Sequence, residues 1–365
     1  MKILQVTHHT TPCIGGIEKY VLELSQKLVG RGHEVEILCL DRCPGSGKKL
    51  PSEETIGGIK IRRIPYIDLK YYKIAPSVLK YAKYFDVLHI HNIGFFSDFL
   101  ALFKFVHGKR VVVNTHGGFF HTKNMSLLKH IYFYTLNNLS LHLCDAVLLD
   151  SRNDEDIFRR ILGKKMILTG IGVELSEYLK IRAKPENGRL LYIGRLSSNK
   201  GLQNLVKAVA VLAKEKEGIR LVIAGKDFDG TEARIRKIIS LAGAEKNVEL
   251  LGEITHERKM REISRARFCV SASEYEGFGI GVIEQMAAGN IPVLNNIRNF
   301  RWFVEDGKSG LVVNFSAAPV VAMRISEAME MPQKKLDAMS AGAREAARHF
   351  EWENVLGEIE KSYRK

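Results

Sequence analysis

The stretch Glu276-Gly277-Phe278-Gly279-Ile280-Gly281-Val282-Ile283-Glu284 decides how this chain is read, together with Gly194-Arg195-Leu196-Ser197-Ser198-Asn199-Lys200-Gly201 upstream of it. The glycines at 277, 279 and 281 free the backbone to approach a ligand closely. The apolar run Val282 to Ala288 suits a helix whose N-terminal amides face an anion. Arg195 and Lys200 supply the positive charge that a diphosphate needs. Glu276 stands before the glycine turn and Glu284 one turn into the helix, so two carboxylates can accept hydrogen bonds from ring hydroxyls at two places. A glutamate beside glycines is often only a cap or a surface residue, and a loop Arg or Lys is ordinarily solvated. Set between a strand and a helix in this spacing, they read instead as a site for a sugar nucleotide, with Gly277, Phe278, Gly279 and Ile280 as further contacts.

Outward from the site, short apolar β-branched runs alternate with helix-length amphipathic segments, the pattern of parallel α/β sheets. In the first half the expected strands are Lys2 to Thr7, Glu34 to Leu40, Ile59 to Ile64, Val87 to His91, Arg110 to Thr115 and Ala146 to Asp150, with helices such as Gly16 to Gly30 and Met125 to Leu143. The second half repeats the scheme with Leu190 to Ile193, Arg220 to Ala224, Val248 to Leu251, Phe268 to Ser271 and Ile291 to Leu294. Two Rossmann-like units follow, 1–168 and 169–350, joined near Thr169 to Asn187, where Gly170 and Gly172 suit a hinge. A length of 365 residues agrees, being too long for one ordinary core.

With 45% hydrophobic and 26% charged residues the composition is that of a soluble globular protein, and no apolar run is long enough to span a bilayer. The N-terminus reads as a buried strand without signal-peptide character, which predicts a cytoplasmic protein. Cys13, Cys39, Cys43, Cys144 and Cys269 are odd in number and scattered, so neither a disulfide framework nor a structural metal is expected. The net charge of +14 needs a partner. Nucleic acid is not expected, since no nucleic-acid motif accompanies the charge. An anionic membrane surface is: between Ile59 and Tyr84 seven Lys or Arg (Lys60, Arg62, Arg63, Lys70, Lys73, Lys80, Lys83) stand against one acid, Asp68, and alternate with five tyrosines. This predicts peripheral attachment at the inner face of the membrane, the alternative being a solvated basic face.

The paired motifs resemble the retaining glycosyltransferases of family 4. Matches extend along most of the chain: Gly15-Gly16-Ile17-Glu18 after the first strand, His116-Gly117-Gly118, Leu221-Val-Ile-Ala-Gly225, and Asp306-Gly-Lys-Ser-Gly310-Leu-Val-Val313. The resemblance implies the GT-B fold, two facing Rossmann-like domains with parallel sheets and a cleft between them, with the helix 351–365 packing back on an N-terminal acceptor-binding domain. It assigns the donor sugar to Glu276, the ribose to Glu284 and the diphosphate to Arg195 and Lys200, and it makes Gly15, Gly16 and Gly225 contacts of the donor. His116, at a strand's C-terminal end, matches a family histidine lying against the donor sugar, in an orienting or charge-stabilising role. Ile171-Gly172-Val173-Glu174 departs from the family's Asn-Gly-Val-Asp, which leaves the contact expected from that Asn in question.

Transfer from a nucleotide sugar must stabilise a departing diphosphate. Fixed cations and helix N-termini do so where no metal does, and Arg195, Lys200, the amides around Gly279 to Val282 and the Gly15-Gly16 loop are of that kind, so no metal or other cofactor is expected. Tyr275-Glu276-Gly-Phe-Gly-Ile-Gly and Asn295-Asn296-x-x-Asn299-Phe300 resemble mannosyltransferases that use GDP-mannose; a UDP-sugar is the alternative donor. A glycan or lipid-linked acceptor is implied, selected by loops around Phe95-Phe96 and Phe119-Phe120-His121-Thr122-Lys123. Retention leaves open a front-face route or a short-lived covalent adduct. Gly45-Ser46-Gly47-Lys48-Lys49 resembles a P-loop but lacks its first glycine and its Ser or Thr, and no Gly-x-Gly-x-x-Gly follows the first strand. A sugar-nucleotide epimerase and a silent sugar-nucleotide-binding protein remain as rival readings.

Overall fold

The computed structural model describes residues 1–13, 15–69, 72–117 and 126–364, with Ser126 and Lys164 described by backbone alone. Lys70, Tyr71, Gly118, the loop Phe119 to Lys123 and Met125 lie outside the described residues. The chain forms two compact units, Met1–Gly172 with Trp352–Lys365, and Val173–Glu351.

Unit 1 carries strands β1 (Lys2–Val6), β2 (Glu34–Leu40), β3 (Glu53–Ile56), β4 (Ile59–Ile64), β7 (Val87–His91), β8 (Arg110–Asn114), β9 (Ala146–Leu149) and β10 (Met166–Leu168), while β5 (Ile67–Asp68) and β6 (Lys73–Ile74) form a separate two-stranded ribbon. The large sheet runs β10-β9-β8-β7-β1-β2-β4-β3 and is parallel except for β3, which pairs antiparallel with β4. Its central strands are buried on both faces, so they read as largely apolar stretches; the half-exposed edge strands were not expected, β3 because Glu53-Glu54-Thr55-Ile56 is mostly polar and β10 because three residues are too few to stand out. The helix expected over Met125 to Leu143 is described from Ser126, with a π turn at Phe133–Asn137 in its middle.

Unit 2 carries β11 (Arg189–Ile193), β12 (Arg220–Ala224), β13 (Val248–Gly252), β14 (Phe268–Ser271), β15 (Ile291–Asn295) and β16 (Leu311–Val313), all parallel, in the order β13-β12-β11-β14-β15-β16. Strand order reverses between β11 and β14. In doubly wound sheets the loops beyond the C-terminal ends of such a strand pair form the ligand crevice. The helix Leu202–Glu215 shows how sequence fixes the packing: Leu202, Leu205, Val206, Val209 and Leu212 recur at helical period and are all buried on the sheet. Each such side chain contributes about 1.5–3 kcal/mol by leaving water.

The chain leaves unit 1 after Gly172 and returns at Trp352, and Val173 N donates to Phe350 O at 2.8 Å beside this crossing. Gly172 is a packing position: a Cβ there would lie 2.2 Å from the Trp352 ring. The helix Trp352–Arg364 buries Trp352, Val355, Leu356, Ile359 and Tyr363 with Ile3, Val21 and Val35 of unit 1. Tyr178, within the segment read as a helix-poor linker, sits on a short helix, Ser176–Leu179, of unit 2.

One surface expectation is corrected. Cys13 and Cys43 form a disulfide, closing the loop after β1 onto the loop after β2; residues thirty apart in sequence are neighbours because β1 and β2 are adjacent. Four of the seven cations between Ile59 and Tyr84 have acidic partners within the fold. Lys60 pairs with Glu53, Arg62 with Glu36 and Glu53, the buried Arg63 with Glu54, and Lys73 with Asp68. Neighbouring strands supply acids that the linear window omits. Two of its tyrosines are engaged as well, Tyr72 donating to Asp98 at 2.9 Å and the Tyr66 ring lying 4.5 Å from the Arg42 guanidinium.

Candidate active site

In unit 2 the two motifs meet at the strand ends where the order reverses. The loop after β11 carries Arg195 and Lys200, the loop after β14 carries Glu276, and the helix Ile280–Ala287 follows. A Cβ on Gly281 would lie 2.7 Å from Ile193 O, and one on Gly225 would lie 1.8 Å from Gly194 O. Bare backbone is therefore required where the helix start and the end of β12 press on the end of β11, and packing accounts for Gly225. Gly279, at φ +104°, turns the chain into the helix, and no side chain caps it.

Lys200, 7% exposed, places Nζ 2.7 and 2.8 Å from the two carboxylate oxygens of Glu276, and Ser273 Oγ donates to the same carboxylate at 3.0 Å. Arg195 is exposed, its guanidinium stacked 5.1 Å from the Phe228 ring centre, while its carbonyl accepts from Tyr192 OH. The two cations are thus not equivalent: one is held by a carboxylate and the other faces solvent. Gly277 has open space around it and Ile280 is exposed, but the Phe278 ring is buried against Phe350 and Trp302, so only its backbone is available to a ligand.

Glu284 has a second anchor that sequence reading missed. Tyr178 OH donates to one of its oxygens at 2.8 Å, Lys259 Nζ meets the other at 2.6 Å, and Lys259 Nζ also donates to Tyr178 OH at 2.9 Å. Burial and then the Glu284 charge push the Tyr178 phenol well above its ordinary range, so it stays a donor. Nothing local marks these residues: Tyr178 lies in the linker stretch and Lys259 among the charges of the helix His256–Arg265.

In unit 1, Gly15 caps the helix Gly16–Gly30 with extended backbone. His116 follows β8 at φ 45°, a left-handed conformation uncommon and strained for a histidine. Its Nδ1 lies 2.8 Å from Asp150 Oδ2 and its Nε2 2.9 Å from His91 Nδ1, while His91 Nε2 lies 2.7 Å from Gln5 Oε1. Tyr20 packs edge-on to His116, and Trp352 stacks on Tyr20. His89 and His91 share a face of β7, ring centres 4.4 Å apart, and His89 Nδ1 lies 2.7 Å from Tyr363 OH. Burial lowers His89 to about 3 and His91 well below its ordinary value, so both are neutral at pH 7. Burial, and then the Asp150 charge, raise Asp154 to about 7. Phe95 and Phe96, expected in an acceptor loop, are buried at the start of the helix Phe95–Leu102.

Two doubly wound units, one presenting paired lysine–glutamate contacts at its switch point, define a glycosyltransferase of the GT-B class. The protein HepE of Anabaena, solved in complex with UDP, has the same fold, with a TM-score of 0.78 over 99% of both chains at 16% identity. The family model "Glycosyltransferase Family 4" matches residues 14–177 and "Glycosyl transferases group 1" matches 177–346. The chain is 33% identical over its whole length to the GDP-mannose:cellobiosyl-diphosphopolyprenol alpha-mannosyltransferase of Xanthomonas oryzae, and 34% identical to that of Xanthomonas campestris, covering 96% of each. The chain belongs to glycosyltransferase family 4.

Proposed function

We propose that this enzyme is a retaining, metal-independent mannosyltransferase, transferring mannose from GDP-mannose to a lipid-linked glycan at the inner face of a membrane. The observation that carries the donor and acceptor is likeness over the full length of the chain to proteins named for GDP-mannose and for a cellobiosyl-diphosphopolyprenol. Glu276, held in place by Lys200, accepts from hydroxyls of the donor sugar. Glu284, held by Tyr178 and Lys259, accepts from the ribose hydroxyls. As the glycosidic bond breaks, negative charge gathers on the leaving diphosphate; Arg195, Lys200 and the amides at the start of the helix Ile280–Ala287 stabilise it. His116, oriented by Asp150, positions the sugar. Fixed cations in this arrangement favour catalysis without a metal.

The test is transfer from labelled GDP-mannose and UDP-glucose to cellobiosyl-diphosphopolyprenol, with thermal shifts for GDP and UDP alongside. Mannosyl product and a shift with GDP but not UDP are expected, unchanged by EDTA. A UDP-specific shift would overturn the donor, an isomerised donor would mark an epimerase, and binding without turnover a sensor. Loss of transfer on chelation, restored by magnesium or manganese, would overturn metal independence.

A further inference from the structure

The loop after β12, Lys226 to Gly230, is tied to the loop that carries Arg195 and Lys200. The parallel pairing of β11 with β12 runs on past the sheet: Gly194 N donates to Ala224 O at 3.0 Å, Leu196 N to Lys226 O at 2.8 Å and Phe228 N to Leu196 O at 3.0 Å. Asp229 adds a side-chain tie. Its Oδ2 accepts from Ser198 N at 3.0 Å, and its Oδ1 accepts from the Thr231 hydroxyl at the start of the helix Thr231–Leu241. Successive side chains of extended backbone point to opposite sides, so the pairing that buries Leu196 in the core turns Arg195 and Phe228 together the other way.

Phe228 is 69% exposed, so its ring contributes little to the core. A single apolar side chain on a surface ordinarily needs no explanation. This one lies against the Arg195 guanidinium, whose carbon stands 5.1 Å from the ring centre, and among the described residues that guanidinium makes no hydrogen bond or ion pair. Lys200 is held by Glu276, which leaves Arg195 as the uncommitted cation of the two. A free arginine side chain samples many rotamers. The face of an aromatic ring attracts the cation and restricts it without using its N–H donors, which stay available to an anion.

We propose that Phe228 is a positioning residue for the donor: its ring holds the Arg195 guanidinium ready for the diphosphate, and the tie from Asp229 keeps the two loops in place. The proposal rests on the reading of Arg195 as a diphosphate ligand. The diphosphate is charged in the bound donor as well as when it leaves, so loss of the ring acts on donor binding more than on turnover.

Calorimetric titration with GDP and with UDP, joined to steady-state kinetics in the donor, tests it. Phe228→Ala and Phe228→Leu should each raise the Kd of the nucleoside diphosphate and the KM of the donor about threefold to fivefold, the worth of an exposed cation–π contact, with kcat nearly unchanged. Phe228→Trp should keep wild-type values, and no melting temperature should move, the ring being exposed. In an Arg195→Ala background Phe228→Ala should have no further effect, because the ring acts through the cation. Asp229→Ala should weaken nucleotide binding too, and Asp229→Asn, which keeps an acceptor for Ser198 N, much less.

Phe228→Ala and Phe228→Leu indistinguishable from the wild type would overturn the proposal. So would a full effect of Phe228→Ala in the Arg195→Ala background, which would place the ring on the nucleotide itself. A loss in Asp229→Asn as deep as in Asp229→Ala, with nucleotide binding that needs magnesium, would make Asp227 and Asp229 metal ligands and overturn it likewise. A wild type that binds UDP and not GDP would overturn the donor and leave the positioning role standing, whereas one that binds neither would sink both.

Discussion

Lys200 holds both oxygens of Glu276, at 2.7 and 2.8 Å, so the cation assigned to the diphosphate and the carboxylate assigned to the sugar are one structural unit. Glu276→Ala and Lys200→Ala should each lower transfer at least about a hundredfold, the usual cost of losing a charge-stabilising contact. Each single change also leaves a charge largely buried without its partner, so the melting temperature should fall. In Lys200→Met/Glu276→Gln the fold should regain part of that stability while activity stays lost, because burial of an ion pair and catalysis by it are separable. Activity in the double variant near the wild-type rate would show the pair to be structural only.

Tyr178 and Lys259 orient Glu284 rather than touch the reacting atoms. Tyr178→Phe and Lys259→Met should raise the KM for the nucleotide sugar about tenfold, the loss of one hydrogen bond to a charged group, with a much smaller change in kcat. Steady-state kinetics at saturating acceptor read this directly. An equal fall in kcat would place the pair in the chemical step.

Asp150 fixes the His116 ring from Nδ1, at 2.8 Å. Asp150→Asn keeps the shape and removes the charge. A loss of about tenfold to a hundredfold in kcat is expected, as for other small misplacements of a positioning group, with an unchanged melting temperature. His91→Phe should reproduce part of the loss, since His91 meets the opposite nitrogen. Full activity in Asp150→Asn would remove His116 from the site.

His89 is held neutral by burial, at about 3 in the folded chain against an ordinary 6.5. A depressed value means that the unfolded chain binds the proton more readily. The stability from keeping His89 neutral is therefore complete above about pH 6.5 and is lost as the pH falls toward 3. His89→Gln, which can still bond the Tyr363 hydroxyl, should show a shallower fall of melting temperature across that range. Parallel curves for the two proteins would assign acid sensitivity elsewhere.

Most strands that lie between two others were legible because burial on both faces writes a largely apolar, β-branched stretch. Val87–His91 and Phe268–Ser271 fall where the sequence reading put them. The edge strand Glu53–Ile56 carries no such stretch and Met166–Leu168 is only three residues long, so both were missed. Glu276, Glu284, Arg195 and Lys200 stood out as a spacing within two loops and the helix after the second, yet the bond between Lys200 and Glu276 joins residues seventy-six apart. Lys259 and Tyr178 were hidden for the same reason, since contact across a folded sheet leaves no local pattern. The basic stretch shows the same effect: Glu36, over twenty residues upstream, meets Arg62 only because their strands pair.

The return of Trp352–Arg364 to unit 1 also orders events on the ribosome. Unit 2 is contiguous, so it can close as soon as Glu351 clears the exit tunnel. Unit 1 begins first and finishes last: its sheet waits, with the groove for Trp352, Val355, Ile359 and Tyr363 unfilled, while the whole of the other unit is made. Unit 1 is therefore the half that spends longest incomplete during synthesis, when exposed hydrophobic surface is most prone to wrong association.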